Sequence, residues 1–96
     1  MIEEILGDYR FIKNTKSFKI ESPRCLILQA ELDEDCCTNG FMWRMCSGEL
    51  FPTFAELWEH ISDWLNDVRT VLWPQERCDD YFLFIDSLFR GNRGVL

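Results

Sequence analysis

The side chains best suited to chemistry in this sequence are five cysteines and one histidine. Enough sulfur and nitrogen atoms for a tetrahedral zinc site are present in Cys36, Cys37, Cys46, Cys78 and His60. The CxxC and HxxxH spacings, which let a short turn present two ligands to one ion, are absent. An odd number of irregularly spaced cysteines is also unlike a secreted disulfide framework. We therefore predict reduced thiols, no metal site and no cofactor.

Nucleophilic or acid–base catalysis needs several groups that converge in the fold. His60 is the only imidazole base, and it stands four residues after Glu56 and three before Asp63, a spacing typical of surface pairs on a helix. The acidic run "ELDED" at 31–35 lacks the spacing of a calcium loop, and no glycine-rich phosphate loop accompanies it. We predict no catalytic residues, and an enzyme that depends on cysteine or zinc is the least favoured class.

Acidic side chains form the most distinctive pattern in the chain. One stripe lies along the segment 53–73 and consists of Glu56, Glu59, Asp63 and Asp67. On a helix, acids three or four residues apart stand about 5–6 Å apart, near the spacing of phosphates along one nucleic-acid strand. A second acidic group contains Glu31, Asp33, Glu34 and Asp35. Both groups predict docking on a Lys/Arg-rich protein surface, with Trp43 and Trp73 as exposed aromatic contacts.

The charge balance limits the kinds of partner. The net charge is −7 and the pI is near 4.5, which argues against direct binding of nucleic acid or of an acidic membrane. No run approaches the roughly 20 apolar residues that span a bilayer, and the N-terminal residues are acidic where a signal peptide is basic. We expect a cytoplasmic protein whose partner is basic, such as a nucleic-acid-binding protein or a nuclease complex.

The first half of the chain has the period-two pattern of β-strands. Alternating runs at 9–13 and 17–21 flank "NTKS", a composition that suits a turn, and predict a hairpin. Further strands are predicted at 25–32 and 41–46, and 49–51 adds a short one. Together these segments predict an antiparallel meander.

The alternation also assigns faces to the strands. In the run 25–32, one face is expected to hold Leu26, Leu28, Ala30 and Leu32. The acidic residues 31–35 are interpreted as a solvated hairpin loop, and Asn39-Gly40 supplies the positive φ of a tight turn.

The second half changes to helical periodicity. Thr53 followed by Glu56 is a capping box, so a helix should begin at Phe54 and continue to 73, before Pro74. Its apolar face is expected to hold Phe54, Leu57, Trp58, Ile61, Trp64, Leu65, Val68, Val71 and Leu72. A second helix is predicted at about 75–90, with Gly91 as its stop. Its apolar face is expected to hold Cys78, Tyr81, Phe82, Ile85, Leu88 and Phe89. Leu83 and Phe84 widen that face.

These elements predict an α+β fold in which an antiparallel sheet of three to five strands packs against two C-terminal helices, at about 54–73 and 75–90. The length suits one globular domain over residues 1–96, with a frayed tail at 91–96.

The pattern favours a small, non-enzymatic inhibitor that blocks a basic, nucleic-acid-handling protein surface. In size, charge and layout the chain is similar to the phage anti-CRISPR and other anti-defence proteins, and to the immunity proteins that neutralise nuclease toxins. That likeness contains no shared motif and assigns a role to no residue. The alternative is a structural subunit or homo-oligomer that uses the apolar face of 78–89 as its interface.

Overall fold

The computed structural model describes the backbone of residues 1–37 and 40–95 and the side chains of residues 1–33 and 42–90. Six strands precede two helices: β1 Ile2–Leu6, β2 Tyr9–Lys13, β3 Ser17–Glu21, β4 Leu26–Cys37, β5 Gly40–Met45, β6 Leu50–Phe51, α1 Phe54–Leu72 and α2 Gln75–Val95. The chain divides into two compact units, Met1–Thr53 with the strands and Phe54–Leu96 with the helices. The α+β class is confirmed. A single domain with a frayed tail at 91–96 stays a prediction.

The strands form one antiparallel meander, in the order β1-β2-β3-β4-β5-β6. The hairpin predicted at 9–13 and 17–21 is confirmed as β2 and β3, and β6 confirms the short strand predicted at 49–51. The sheet has six strands, one more than the predicted maximum of five, and β1 is the additional strand. Its sequence "IEEIL" carries two glutamates, which an edge strand tolerates because it has only one neighbour.

β4 is longer than the predicted strand at 25–32. It continues to Cys37, which lies opposite Gly40 of β5, because pairing between the two strands extends that far. The acidic segment 31–35 therefore belongs to a strand, and its interpretation as a hairpin loop is wrong. The predicted turn at Asn39-Gly40 involves residues 38 and 39, which lie outside the described residues.

A shift in register between β3 and β4 moves Leu26 to the polar face of the sheet. Ile20 lies opposite Leu28, but the next pair is Glu21 opposite Leu26, so β4 contains one extra residue at this point. Paired residues share a face, and Leu26 therefore lies on the side of Glu21. Leu26 is 49% exposed whereas Leu28 is 8% exposed, so the prediction that both share the buried face is wrong for Leu26.

The sheet unit buries side chains from its four central strands. They are Phe11, Ile12, Phe18, Ile20, Leu28, Ala30, Trp43 and Met45. All except Ile12 lie on one face, because the Cα pairing places them opposite one another from β2 to β5. The opposite face carries mainly charged side chains, including Arg10, Lys19 and Arg44.

α1 begins at the predicted residue, Phe54, and ends at Leu72, one residue before the predicted end. Its buried residues are Leu57, Trp58, Ile61, Ser62 and Leu65. Val71 is 81% exposed, so its predicted place on the apolar face is wrong. It stands one turn after Asp67 and therefore continues the outward side of the helix.

α2 continues to Val95 rather than ending at 90. Gly91 does not stop the helix, because a glycine inside a helix costs only about 1 kcal/mol relative to alanine. The predicted apolar face is confirmed by Cys78, Ile85 and Phe89, which are all buried. The ring of Phe89 lies 4.9 Å from that of Trp58, so the two helices pack through aromatic side chains.

Candidate functional site

The outward side of α1 carries four acids and no lysine or arginine. Its exposed residues are Glu56, Glu59, His60, Asp63, Asn66, Asp67, Thr70 and Val71. At 3.6 residues per turn, Glu56, Asp63 and Asp67 lie within about 40° around the axis and span about 16 Å along it. We call these three residues the acidic face of α1. Glu59 lies about 60° to one side of Glu56.

Glu59 forms an ion pair with Arg90 of α2. Arg90 also pairs with Asp86 at 3.1 Å and donates from Nη2 to Oγ of Ser62 at 3.0 Å. Its hydrogen bonds to Asp86, and then to Glu59, raise the pKa of Arg90 above the usual value. The guanidinium therefore stays charged, and Glu59 contributes to the pairing of the two helices.

A buried tryptophan belongs to the same network. Nε1 of Trp58 donates to Oδ1 of Asp86 at 2.8 Å, and the Trp58 side chain is 1% exposed. Asp86 thus accepts hydrogen bonds from one residue of each helix, Trp58 and Arg90. Sequence reasoning missed this network. Its only local signal is the i,i+4 spacing of Asp86 and Arg90.

The arginine of α1 is also directed towards α2. Nε of Arg69 donates to Oδ1 of Asp79 at 2.9 Å, and its Nη1 donates to Oδ1 of Asn66 at 2.8 Å. The hydrogen bond to Asp79 is the main reason why the pKa of Arg69 is raised. Residues 54–96 contain eight acidic and four basic side chains. Arg69 forms an ion pair with Asp79, and Arg90 forms ion pairs with Asp86 and Glu59, whereas the acidic face of α1 itself contains no lysine or arginine.

The two predicted aromatic contacts are not exposed. Trp43 is 6% exposed and Trp73 is 2% exposed, so their interpretation as exposed anchors is wrong. Trp43 lies on the apolar face of the sheet, opposite Leu32 and Phe51. Trp73 packs edge-on against Tyr81, with ring centroids 5.5 Å apart. Large aromatic side chains are core residues here because they bury the most apolar area.

The acids of β4 lie in the sheet unit. Glu31 is exposed and accepts a hydrogen bond from Nε2 of Gln29 at 3.0 Å. Asp33 accepts a hydrogen bond from Nε of Arg44 at 3.0 Å and forms an ion pair with it. The side chains of Glu34 and Asp35 lie outside the described residues. Of the two described acids, Glu31 is thus the more accessible to a partner.

The thiols and the histidine show no common arrangement among the described side chains. Cys25 and Cys46 are exposed, Cys78 is buried, and all three are free thiols. Cys78 donates a hydrogen bond to the carbonyl oxygen of Gln75 at 3.4 Å. Within residues 1–33 and 42–90, no group of three or more His, Cys, Asp or Glu side chains is placed to hold a metal ion.

A groove of about 520 Å³ opens at one end of the sheet. It lies where the β1–β2 hairpin and the end of β3 meet, and it is lined by Ile5, Gly7, Asp8, Tyr9, Arg10, Glu21, Ser22 and Pro23. Arg10 is paired with Glu3 at 3.3 Å and with Glu21 at 3.5 Å. The groove therefore combines apolar walls with carboxylates, and its only lysine or arginine is already paired.

Two adjacent apolar residues are exposed on α2. Leu83 is 63% exposed and Phe84 is 46% exposed, whereas the next residue, Ile85, is buried. Phe84 is the exposed aromatic residue that the sequence places in the widened apolar face of this helix.

Comparison with known protein families, with curated proteins and with solved structures finds no significant match. In the part of the chain that the structure describes, no helix combines the length and apolar character needed to cross a bilayer. The fold places the chain in the α+β class. Proposals about its function are argued from the residues on its surface.

Proposed function

We propose that this chain is a non-enzymatic binding protein that occupies a Lys/Arg-rich surface of a nucleic-acid-handling protein in the cytoplasm and blocks it. The observation that carries the proposal is the acidic face of α1, where Glu56, Asp63 and Asp67 are exposed on a helix side without lysine or arginine. A surface of this kind attracts the basic side chains that otherwise hold phosphates.

The charge pattern of the helix pair supports this proposal. Asp63 and Asp67 stand four residues apart, and like charges at that spacing destabilise a helix slightly. The arginines that the structure describes between the helices, Arg69 and Arg90, pair with other acids. A basic partner would add positive charge opposite the exposed carboxylates of this helix.

Electrostatic attraction would act mainly on the rate of association. Charges separated by more than about 8 Å are screened at physiological salt, so the association rate should fall as salt is added. Affinity requires buried apolar contacts as well. Val71 is 81% exposed and stands one turn beyond Asp67, where it can be covered by a partner that lies along the acidic face.

Charge reversal on α1 tests the proposal. The variant Asp63→Lys/Asp67→Lys should fold normally but bind the basic partner at least about tenfold more weakly, because attraction becomes repulsion. Glu59 is left unchanged, since its pairing with Arg90 would confound the result. The matched control Glu76→Lys/Asp80→Lys changes the net charge equally at exposed positions of α2.

The measurement has two stages. Tagged wild-type protein and both variants are used to capture proteins from host extract, and each captured basic protein is then titrated by calorimetry with the purified chains. Wild type and control should bind alike, and bound protein should compete with nucleic acid. Capture of no basic protein, or equal affinity for the Asp63→Lys/Asp67→Lys variant, would contradict the proposal.

A second candidate function is supported by a different observation. Leu83 and Phe84 form an exposed apolar pair on α2, and such pairs occur at interfaces between identical subunits. In this alternative the chain is a structural homo-oligomer and its acids provide solubility.

Sedimentation velocity over a range of concentrations tests the alternative. A wild-type dimer that Leu83→Ser/Phe84→Ser converts to a monomer would support it. A wild type that is monomeric at every concentration would exclude this interface.

A further inference from the structure

β1 forms an edge of the sheet, since it begins the strand order and, among residues 1–37 and 40–95, pairs only with β2. The two strands are joined by Gly7 and Asp8, and Gly7 has φ 65°, as expected at the first central position of a type II′ turn. A two-residue turn of this type closes on a hydrogen-bonded pair, which here is Leu6 and Tyr9.

The alternation of the ladder then decides which backbone groups of β1 point outward. Leu6, Glu4 and Ile2 direct their amide and carbonyl groups towards β2, because hydrogen-bonded pairs recur at every second residue. Glu3 and Ile5 therefore direct theirs away from β2, along the outer edge. Both side chains are exposed, with Ile5 at 60%. The edge thus offers two donors and two acceptors beside accessible side chains.

Acids outnumber bases beside this edge: Glu3, Glu4 and Asp8 lie in β1 and its turn, and Arg10 of β2 pairs with Glu3 at 3.3 Å. Glu3 lies on one face and Glu4 on the other, because successive side chains alternate along a strand. The groove at the same end of the sheet contains Ile5 itself, together with the carboxylates of Asp8 and Glu21. A strand that added to β1 would therefore place its side chains next to acids.

We propose that the outer edge of β1 binds an extended segment of a lysine- or arginine-bearing protein chain by strand addition. The backbone groups of Glu3 and Ile5 supply the hydrogen bonds, and the nearby carboxylates select positive side chains. The groove beside Ile5 receives one side chain of the added segment. This site lies in the sheet unit and does not depend on the acidic face of α1.

A second copy of the chain fits this edge poorly. An antiparallel pair of β1 strands that uses the outward groups of both Glu3 and Ile5 is centred on Glu4. It places the two Glu4 side chains directly opposite each other, and like charges in that position are destabilising. A basic segment meets the same side chains with opposite charge.

Synthetic peptides titrated into the full chain and followed by amide NMR test the proposal. The probe is a short peptide of alternating lysine and valine. A second peptide has glutamate in place of lysine. A third has the sequence of the probe, with N-methyl groups on every second backbone amide, so that one edge of the extended peptide has no N–H donors. The probe should bind, with its largest shifts at Glu3 and Ile5. The methylated peptide should bind about tenfold more weakly, since it lacks donors, and the glutamate peptide should not bind.

Variants of Ile5 separate backbone pairing from side-chain contact. Ile5→Pro removes an outward N–H without touching the bonds to β2, a position where an edge strand tolerates proline, and should weaken probe binding about tenfold. Ile5→Thr keeps the N–H and should bind within about threefold of wild type. If Ile5→Pro does not fold, the methylated peptide still distinguishes strand pairing from charge attraction.

Several outcomes would overturn the proposal: no binding of the probe at millimolar concentration, equal binding of the methylated or glutamate peptide, or shifts that depend only on protein concentration. Probe shifts confined to Asp63 and Asp67 would likewise assign the peptide to α1 and reject the β1 edge. Loss of binding in Asp63→Lys/Asp67→Lys alone would concern the proposed function, and not this site.

Discussion

Removal of the Asp86 carboxylate should destabilise the helix pair more than neutralisation of its charge. Asp86→Ala deletes the acceptor of the Trp58 indole N–H, and Trp58 is 1% exposed, so water does not replace it. A buried donor without a partner costs about 1–3 kcal/mol, and loss of the i,i+4 pair with Arg90 adds about 0.5 kcal/mol. The expected total is about 1.5–3.5 kcal/mol. Asp86→Asn keeps an oxygen near Nε1 and should cost about 0.5–1 kcal/mol.

Urea unfolding followed by far-ultraviolet circular dichroism measures both variants, with an unchanged dependence on urea as the check that each folds normally. Trp58→Phe provides the third corner of a double-mutant cycle. In the Trp58→Phe background, the destabilisation caused by Asp86→Ala should be about 1–2 kcal/mol smaller, because no buried indole N–H is left without an acceptor. Equal costs for Asp86→Ala and Asp86→Asn, or no coupling to Trp58, would refute the reasoning.

Two further predictions concern the sheet unit. Leu28→Ala should lower the free energy of unfolding by about 2–4 kcal/mol and Leu26→Ala by less than about 1 kcal/mol, because the register shift exposes Leu26. Similar losses for the two variants in urea unfolding would contradict the register shift. Burial lowers the pKa of Lys13 from 10.5, so its charged form costs stability at neutral pH. Lys13→Met should therefore be more stable than wild type. The difference in free energy of unfolding between the variant and wild type should narrow as pH rises from the lowered pKa of Lys13 towards 10.5, because the unfolded wild type binds more protons than the folded protein in that range. A difference that stays constant with pH would contradict desolvation as the cause of the lowered pKa.

Much of the fold could be predicted because its signals are local. The start of α1 follows from the residues around Phe54, and the hairpin of β2 and β3 follows from alternation on either side of a turn. β1 could not be found in the same way, since two of its five residues are glutamates and its identity as a strand depends on pairing with β2.

The candidate site was predictable only in part. Helical periodicity placed Glu56, Asp63 and Asp67 on one side of α1, where the structure has them exposed. The same reasoning assigned Trp43 to the surface, although it is buried. A single side chain of that type suits a core and an interface equally well, so its sequence position does not decide between them.

By itself, the sequence determined the α+β class, the order of β2 to β6 and the two helices, and the outward acids of α1. These depend on periodicity, caps and turn residues, which act over a few neighbouring positions. Only the tertiary structure decided that Leu26 faces the polar side, that Glu59 pairs with Arg90 and that Glu3 lies on a free edge. Each of these features depends on which residue of another strand or helix lies opposite. That pairing between distant segments cannot be deduced from the sequence of either segment alone.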